Sequence, residues 1–225
     1  MSHLHIPDGL LPVWVWGAGL LLALLLLVRG SRRARDHSPQ RIAYQGALGG
    51  LMLAAMAIPL GPLEYHLTLA GPMGVLLGGG GAFQVAFVVS AILALMGHGG
   101  LTVVGLNALV LGSGAAVANR VYGAVAHRLR PAPALALGTA AGQAVAGSLW
   151  LAMVGFGMRL DPGAAPHAGG GDGRLGVFLG LALPLWIVGI AVESVIAFGL
   201  GRFLARVQPG LLPHAPPAAA AREVA

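Results

Sequence analysis

The residues able to do chemistry in this chain are few, and they begin at its first position. The opening run is Met1-Ser2-His3-Leu4-His5-Ile6-Pro7-Asp8-Gly9. It holds an α-amine, two histidines one residue apart and an Asp-Gly turn, and it leads straight into an apolar stretch. Further along stand His66, His98, Asn107 and Glu193, each isolated among apolar or glycine-rich neighbours. There is no cysteine, so a metal ion would find nitrogen and oxygen donors but no thiolate. Imidazole suits Ni(II), Co(II), Cu(II) and Zn(II) and is a poor partner for Mg(II) or Ca(II). The α-amine adds something more specific. An amine, an intervening deprotonated amide and an imidazole close fused chelate rings in one plane, the arrangement Ni(II) and Cu(II) prefer. With Met1 retained, Met1-Ser2-His3 supplies four nitrogens by itself; with Met1 removed, Ser2-His3 supplies three and leaves a place for His66. Simple solvation of a terminal amine and its histidines stands beside both.

The other candidates also have plain readings. His66 taken alone is an ordinary loop histidine, and His98 sits in a glycine-rich turn that needs no functional reason. An asparagine inside an apolar helix, as Asn107 is, ordinarily hydrogen-bonds a neighbouring helix. Glu193 is the one acidic residue deep in an apolar run. A carboxyl there is costly, so it either pairs, with Arg120 for example, or stays protonated. His37, His127, His167 and His214 read as solvated loop or tail residues. All 13 basic residues are arginine, and without lysine a Walker-A nucleotide loop is excluded. An intramembrane hydrolase of the His-Glu-x-x-His type is disfavoured because no histidine precedes a glutamate.

The elements that must position these groups are apolar helices. Of 225 residues, 57% are hydrophobic and 9% charged, with a mean hydropathy of +0.83. A soluble domain carries roughly 25% charged residues, so this is a multi-spanning membrane protein. The 37 glycines point to helices packed closely through small residues. The net charge of +6 comes mainly from arginines at helix ends. These read as topology signals and contacts to anionic lipid headgroups rather than to nucleic acid. No Lys or Arg precedes the first apolar run, so a cleavable leader is not expected.

That first run, residues 10–28, is about 28 Å long as a helix, enough to span. The basic cluster Arg29, Arg32, Arg33, Arg35 and Arg41 belongs inside, which puts the N-terminus outside. A second span, residues 42–60, carries Ala43, Gly46, Ala47, Gly50 and Ala54. Such a small-residue face either packs within the chain or docks a partner subunit. Residues 67–96 are interrupted by Gly78-Gly79-Gly80-Gly81, too short for two full crossings. They predict two short helices or a re-entrant hairpin turning at the tetraglycine, with irregular backbone that must be covered by protein. Helices over 102–126 and 133–157, a flexible loop over 158–176 and a last helix over 177–207 complete the set. Residues 1–207 form one membrane domain, and the Pro- and Ala-rich tail 208–225 reads as disordered. The expected fold is an all-α polytopic bundle of about seven helical segments, including the short or re-entrant pair. Its N-terminus lies outside and inserted, so that His3, His5, His66 and His98 meet at one face with Asn107 just beneath.

His5-Ile6-Pro7-Asp8-Gly9 followed by Leu10-Leu11-Pro12 resembles the N-terminal signature of the CbiM/NikM family, the cobalt- and nickel-capturing S components of energy-coupling factor ABC transporters. Similar too are His66-Leu67-Thr68 with Gly71-Pro72, His98-Gly99-Gly100-Leu101-Thr102 with Gly105 and Asn107, and Glu193 in the last helix. The resemblance implies a helical bundle whose leading segment tucks into the core. It implies a metal held by N-terminal nitrogens and by His66, with His98, Asn107, Asp8 and Thr68 in support. Cobalt or nickel is then cargo and no cofactor is needed. The implied partners are a transmembrane coupling subunit, met through the Ala43, Ala47 and Gly50 face, and cytoplasmic ATPases. The implied location is the cytoplasmic membrane of a bacterium or archaeon. Family members begin Met-His, whereas here Ser2-His3-Leu4 precedes the matching region, which separates the amine from His5. The chelating role is therefore expected at Ser2-His3, with His5 in support; the alternative is that His5 acts without the amine.

Overall fold

Apolar stretches of about 20 residues or more can satisfy their own backbone only as helices. In the computed structural model, which describes residues 5–33, 38–59, 65–160 and 172–213, six α-helices follow one another. They are α1 (Val13–Arg33), α2 (Pro39–Ala57), α3 (Ala70–Leu95), α4 (Val104–Val125), α5 (Pro131–Leu160) and α6 (Asp172–Val207). A 3-10 turn at Pro209–Leu211 follows, and Leu212 beyond it is buried. Two helices open on a proline, Pro39 and Pro131, whose missing N–H costs nothing in a first turn. Ser38 completes the start of α2 by accepting from the Arg41 N–H at 3.3 Å.

Five helices, all but α2, are long and apolar enough to cross a membrane. Half of the most apolar window of α3 is buried, against 11% for α1 and 6% for α6. Hence α3 is the core helix, and α1 and α6 leave Leu21, Leu25, Leu181, Ile187 and Val195 exposed. α4 packs on α1, α3 and α5, and α5 packs on α6. The approaches are close because glycines face backbone. Gly142 lies against the Gly114 carbonyl, Gly105 against Leu20, and Gly201 against Ala132.

Between residues 67 and 96 two helical pieces meet at a kink in the tetraglycine, as the short-pair expectation has it; numbered together as α3, they leave six helices among the described residues. Gly78, the first residue of the tetraglycine, has φ 71° and ψ 164°, a backbone state open in practice to glycine alone. Residues 70–77 cross from α5, where Gly71 meets Thr139, to α4, where Gly74 meets Ala115. Past the break, residues 79–95 run antiparallel to α4, with Gly79 near Ala116 and Gly112 against Phe83. They run parallel to α2, with Gly81 near Gln45 and Gly49 near Val85.

The first helix starts three residues later than its apolar run. Leu10 and Leu11 are spent on a turn and buried against α4 and α5, with Leu106 and Val154. The second helix spans 39–57 rather than 42–60. Its small face, Ala43, Gly46, Ala47, Gly50 and Ala54, is exposed, so packing within the chain does not account for it.

Gly74→Ala would drive a methyl into the Ala115 carbonyl, whereas a methyl at Gly46 meets nothing within 4 Å. Overpacking of this kind costs about 1–3 kcal/mol. Thermal melts in detergent should show Gly74→Ala clearly destabilised and Gly46→Ala near wild type. Equal melting temperatures would contradict the close α3–α4 approach.

Candidate metal centre

The leading segment enters the bundle as irregular backbone and needs partners for every N–H and C=O it buries. Asn107, in the first turn of α4, supplies two at once. Its Oδ1 accepts from the Ile6 N–H at 2.8 Å and its Nδ2 donates to the Ile6 carbonyl at 3.3 Å. The Trp150 indole of α5 donates to the His5 carbonyl at 3.1 Å. Ile6 itself is 0% exposed and packs with Leu106, Val103 and Val154.

Asp8 closes the segment against the approach to α4. Its carboxylate accepts from the Leu101 N–H at 2.8 Å, the Thr102 N–H at 2.9 Å and the Thr102 hydroxyl at 2.5 Å. Partial burial alone would raise the Asp8 carboxyl. The hydrogen bonds from Thr102, Leu101 and Val103 together outweigh it and hold the group below the ordinary aspartate range. Gly100 makes this possible, since a side chain there would overlap the Asp8 carboxylate. At Gly99, with φ 94°, the His5 ring and the Asn107 amide come within 3.4 Å of where a Cβ would stand.

His98 is set by the end of α3. Gly97 adopts φ 82°, its N–H meets the Ala94 carbonyl at 3.1 Å, and the His98 N–H meets the Leu93 carbonyl at 2.8 Å. This is a Schellman termination, with glycine in the left-handed position. The His98 ring lies 5.9 Å, centroid to centroid, from that of His66.

His66 is buried, 7% exposed. Its Nδ1 lies 2.6 Å from the Met56 carbonyl, one of the last carbonyls of α2, which have no partner within the helix. A carbonyl only accepts, so the ring donates to it through Nδ1. A backbone carbonyl behind a histidine is the usual way a ligating imidazole is oriented.

Two residues on, Thr68 joins a buried polar cluster. The Glu193 carboxylate of α6, 1% exposed, accepts from the Thr68 N–H through Oε1 and from the Leu69 N–H through Oε2 at 3.2 Å. The Thr68 hydroxyl accepts from Gln143 Nε2 at 2.5 Å and from the Ala70 N–H at 3.3 Å. Glu193 thus caps the start of α3. It is not paired with Arg120, which is exposed.

His66 therefore stands beside His98, and His5 lies against the residue after it, Gly99. Asn107, Asp8 and Thr68 hold the backbone around them. Among the described residues no three His, Asp or Glu side chains form a ready metal site. Met1, Ser2 and His3, which the sequence offers as further donors, lie outside the described residues, as do His37, His167 and His214. Sequence reasoning missed the Met56 carbonyl, Trp150 and Gln143. A lone amide in an apolar helix was a signal for Gln143; nothing in the sequence marked a carbonyl or a tryptophan.

The fold is that of a multi-pass membrane protein. A family model described as the cobalt uptake substrate-specific transmembrane region, CbiM, matches residues 5–211, and the chain belongs to that family. It is a family of metal-ion uptake, not of enzymes, and cobalt or nickel is cargo. A solved structure titled as the crystal structure of a transition metal transporter shares the fold. It has a TM-score of 0.74 and 20% sequence identity, over 90% of this chain and 93% of that one. No curated protein matches the sequence.

Asn107→Ala leaves the N–H and C=O of Ile6 without partners, and each such buried group costs about 1–3 kcal/mol. Hydrogen exchange at the Ile6 amide should accelerate at least tenfold over wild type. Unchanged protection would mean that Asn107 does not seat the segment.

Proposed function

We propose that the chain captures Ni(II) or Co(II) at the external face of the cytoplasmic membrane of a bacterium or archaeon, as the S component of an energy-coupling factor transporter. Its ligands are His66 Nε2 together with nitrogens of the leading segment, from the Ser2-His3 amine chelate with His5 in support. His98, Asn107, Asp8 and Thr68 maintain the geometry. The observation that carries this reading is the orientation of the buried His66 by the Met56 carbonyl, beside a segment whose backbone is drawn into the bundle. ATP is hydrolysed by separate cytoplasmic subunits, and movement of the whole bundle against a transmembrane coupling subunit releases the ion inward. A metal-sensing scaffold would bind metal without passing it on, and an intramembrane hydrolase would need a base beside the ligands. Uptake assayed with and without the partner subunits separates transport from sensing.

Titration calorimetry with Ni(II) and with Co(II) tests the ligand set. His66→Ala should abolish tight binding, and His3→Ala should weaken it at least tenfold. N-terminal mass spectrometry should find Met1 removed and the Ser2 amine unblocked. Intact affinity in His3→Ala, or a blocked amine, would transfer the role to His5.

The exposed small-residue face of α2, Ala43, Ala47 and Gly50, is the proposed docking surface for the coupling subunit. α2 packs mainly on α3, and a side chain at Gly50 meets nothing within 4 Å. Ala47→Leu or Gly50→Leu should lower transport severalfold and leave metal affinity at wild type. Equal loss of both would point to misfolding.

A further inference from the structure

Glu193 is the most buried charged side chain of the described residues, and metal capture as read above gives it no part. Its two oxygens take two consecutive backbone N–H groups, those of Thr68 and Leu69. These lie where the chain leaves the irregular stretch 66–68 and turns into α3. The turn is strained. Leu69 has φ 51° and ψ 15° and is the only non-glycine with positive φ among the described residues. A leucine in the left-handed region costs about 1–2 kcal/mol and persists only where its surroundings over-determine it. Here the surroundings are one carboxylate on α6, one amide, Gln143, on α5, and the Thr68 hydroxyl between them. The chain preceding this turn carries His66, two residues from the first clamped N–H. Its ring is fixed at the other side by α2.

We propose that Glu193 is a positioning residue for the metal ligand His66. By holding Thr68 and Leu69 in one strained turn, its carboxylate sets the backbone from which the imidazole projects. It thereby fixes where Nε2 stands relative to the leading segment. A planar nitrogen set tolerates little displacement of its fourth donor, so the clamp acts on affinity and coordination geometry and not on stability alone. Glutamine is a poor substitute: its oxygen can accept one N–H, but its NH2 faces the other donor with a donor. The proposal rests on the reading of His66 as a ligand.

The test uses the full-length purified chain and NiCl2. Ni(II) affinity is measured by calorimetry and coordination geometry by the absorption spectrum of the bound ion, with the melting temperature of the metal-free protein recorded alongside. Glu193→Gln should weaken Ni(II) binding about 10- to 100-fold, the usual scale for losing a group that orients a ligand, and should shift the spectrum. Wild-type affinity and spectrum would overturn the proposal even with a lowered melting temperature, because the carboxylate would then be a helix cap only. Should Glu193→Gln not fold, Thr68→Val and Thr68→Ser carry the test. The valine variant should weaken binding severalfold and the serine variant, which keeps the hydroxyl, should restore it. Wild-type affinity in Thr68→Val would overturn the proposal. His66→Ala keeps the two readings apart. Unchanged affinity there removes the ligand assignment itself, whereas lost binding in His66→Ala with normal binding in Glu193→Gln removes only the positioning role.

Discussion

Backbone that is not helical, placed among apolar helices, must have each polar group answered by another part of the protein. Water is not at hand, and an unanswered N–H or C=O costs several kcal/mol. Among the described residues, stretches 5–12 and 66–69 are not helical yet pack among helices, and both contribute to the candidate centre. Side chains on other helices do the answering. Asn107 and Trp150 take Ile6 and His5, while Glu193 and Gln143 secure Thr68 and Leu69. The buried polar residues of α4, α5 and α6 near the centre are thus explained by the backbone they serve.

Small residues make the room. Gly99 and Gly100 let the leading segment lie against the turn after α3, and Gly71 and Gly74 let the first part of α3 pass across α5 and α4. Glycine in a helix loses about 1 kcal/mol to alanine in propensity. In an apolar bundle that loss is offset by close backbone contact, which supplies the dispersion energy that hydrophobic segregation cannot provide. The glycine-rich composition and the seating of residues 5–8 therefore have one cause: the bundle is packed tightly enough to grip irregular backbone.

The centre draws its geometry from elements that differ in how firmly they are held. α4 and α5 are enclosed and carry Asn107, Trp150 and Gln143. α2 is bound mainly to α3, shows its small-residue face outward, and touches the centre through the Met56 carbonyl on His66. Metal transport needs a site that is rigid when filled and can be disturbed on demand. His66, the proposed ligand, is oriented in part by this lightly held helix, which would meet both needs.

Composition alone decided that this is a helical membrane protein without thiolate chemistry, because apolar runs in lipid have a single way to pair their backbones. Local chemistry placed the break of α3 in the tetraglycine, since a positive φ beside helix asks for glycine. Pairings across the chain were beyond such reasoning. Nothing local told Glu193 to choose the Thr68 and Leu69 amides over Arg120, or turned the small face of α2 outward. Nor did anything local mark a carbonyl at Met56 as the group behind His66. Those choices depend on which helices become neighbours and at what depth, a property of the packed bundle that no short stretch of residues contains.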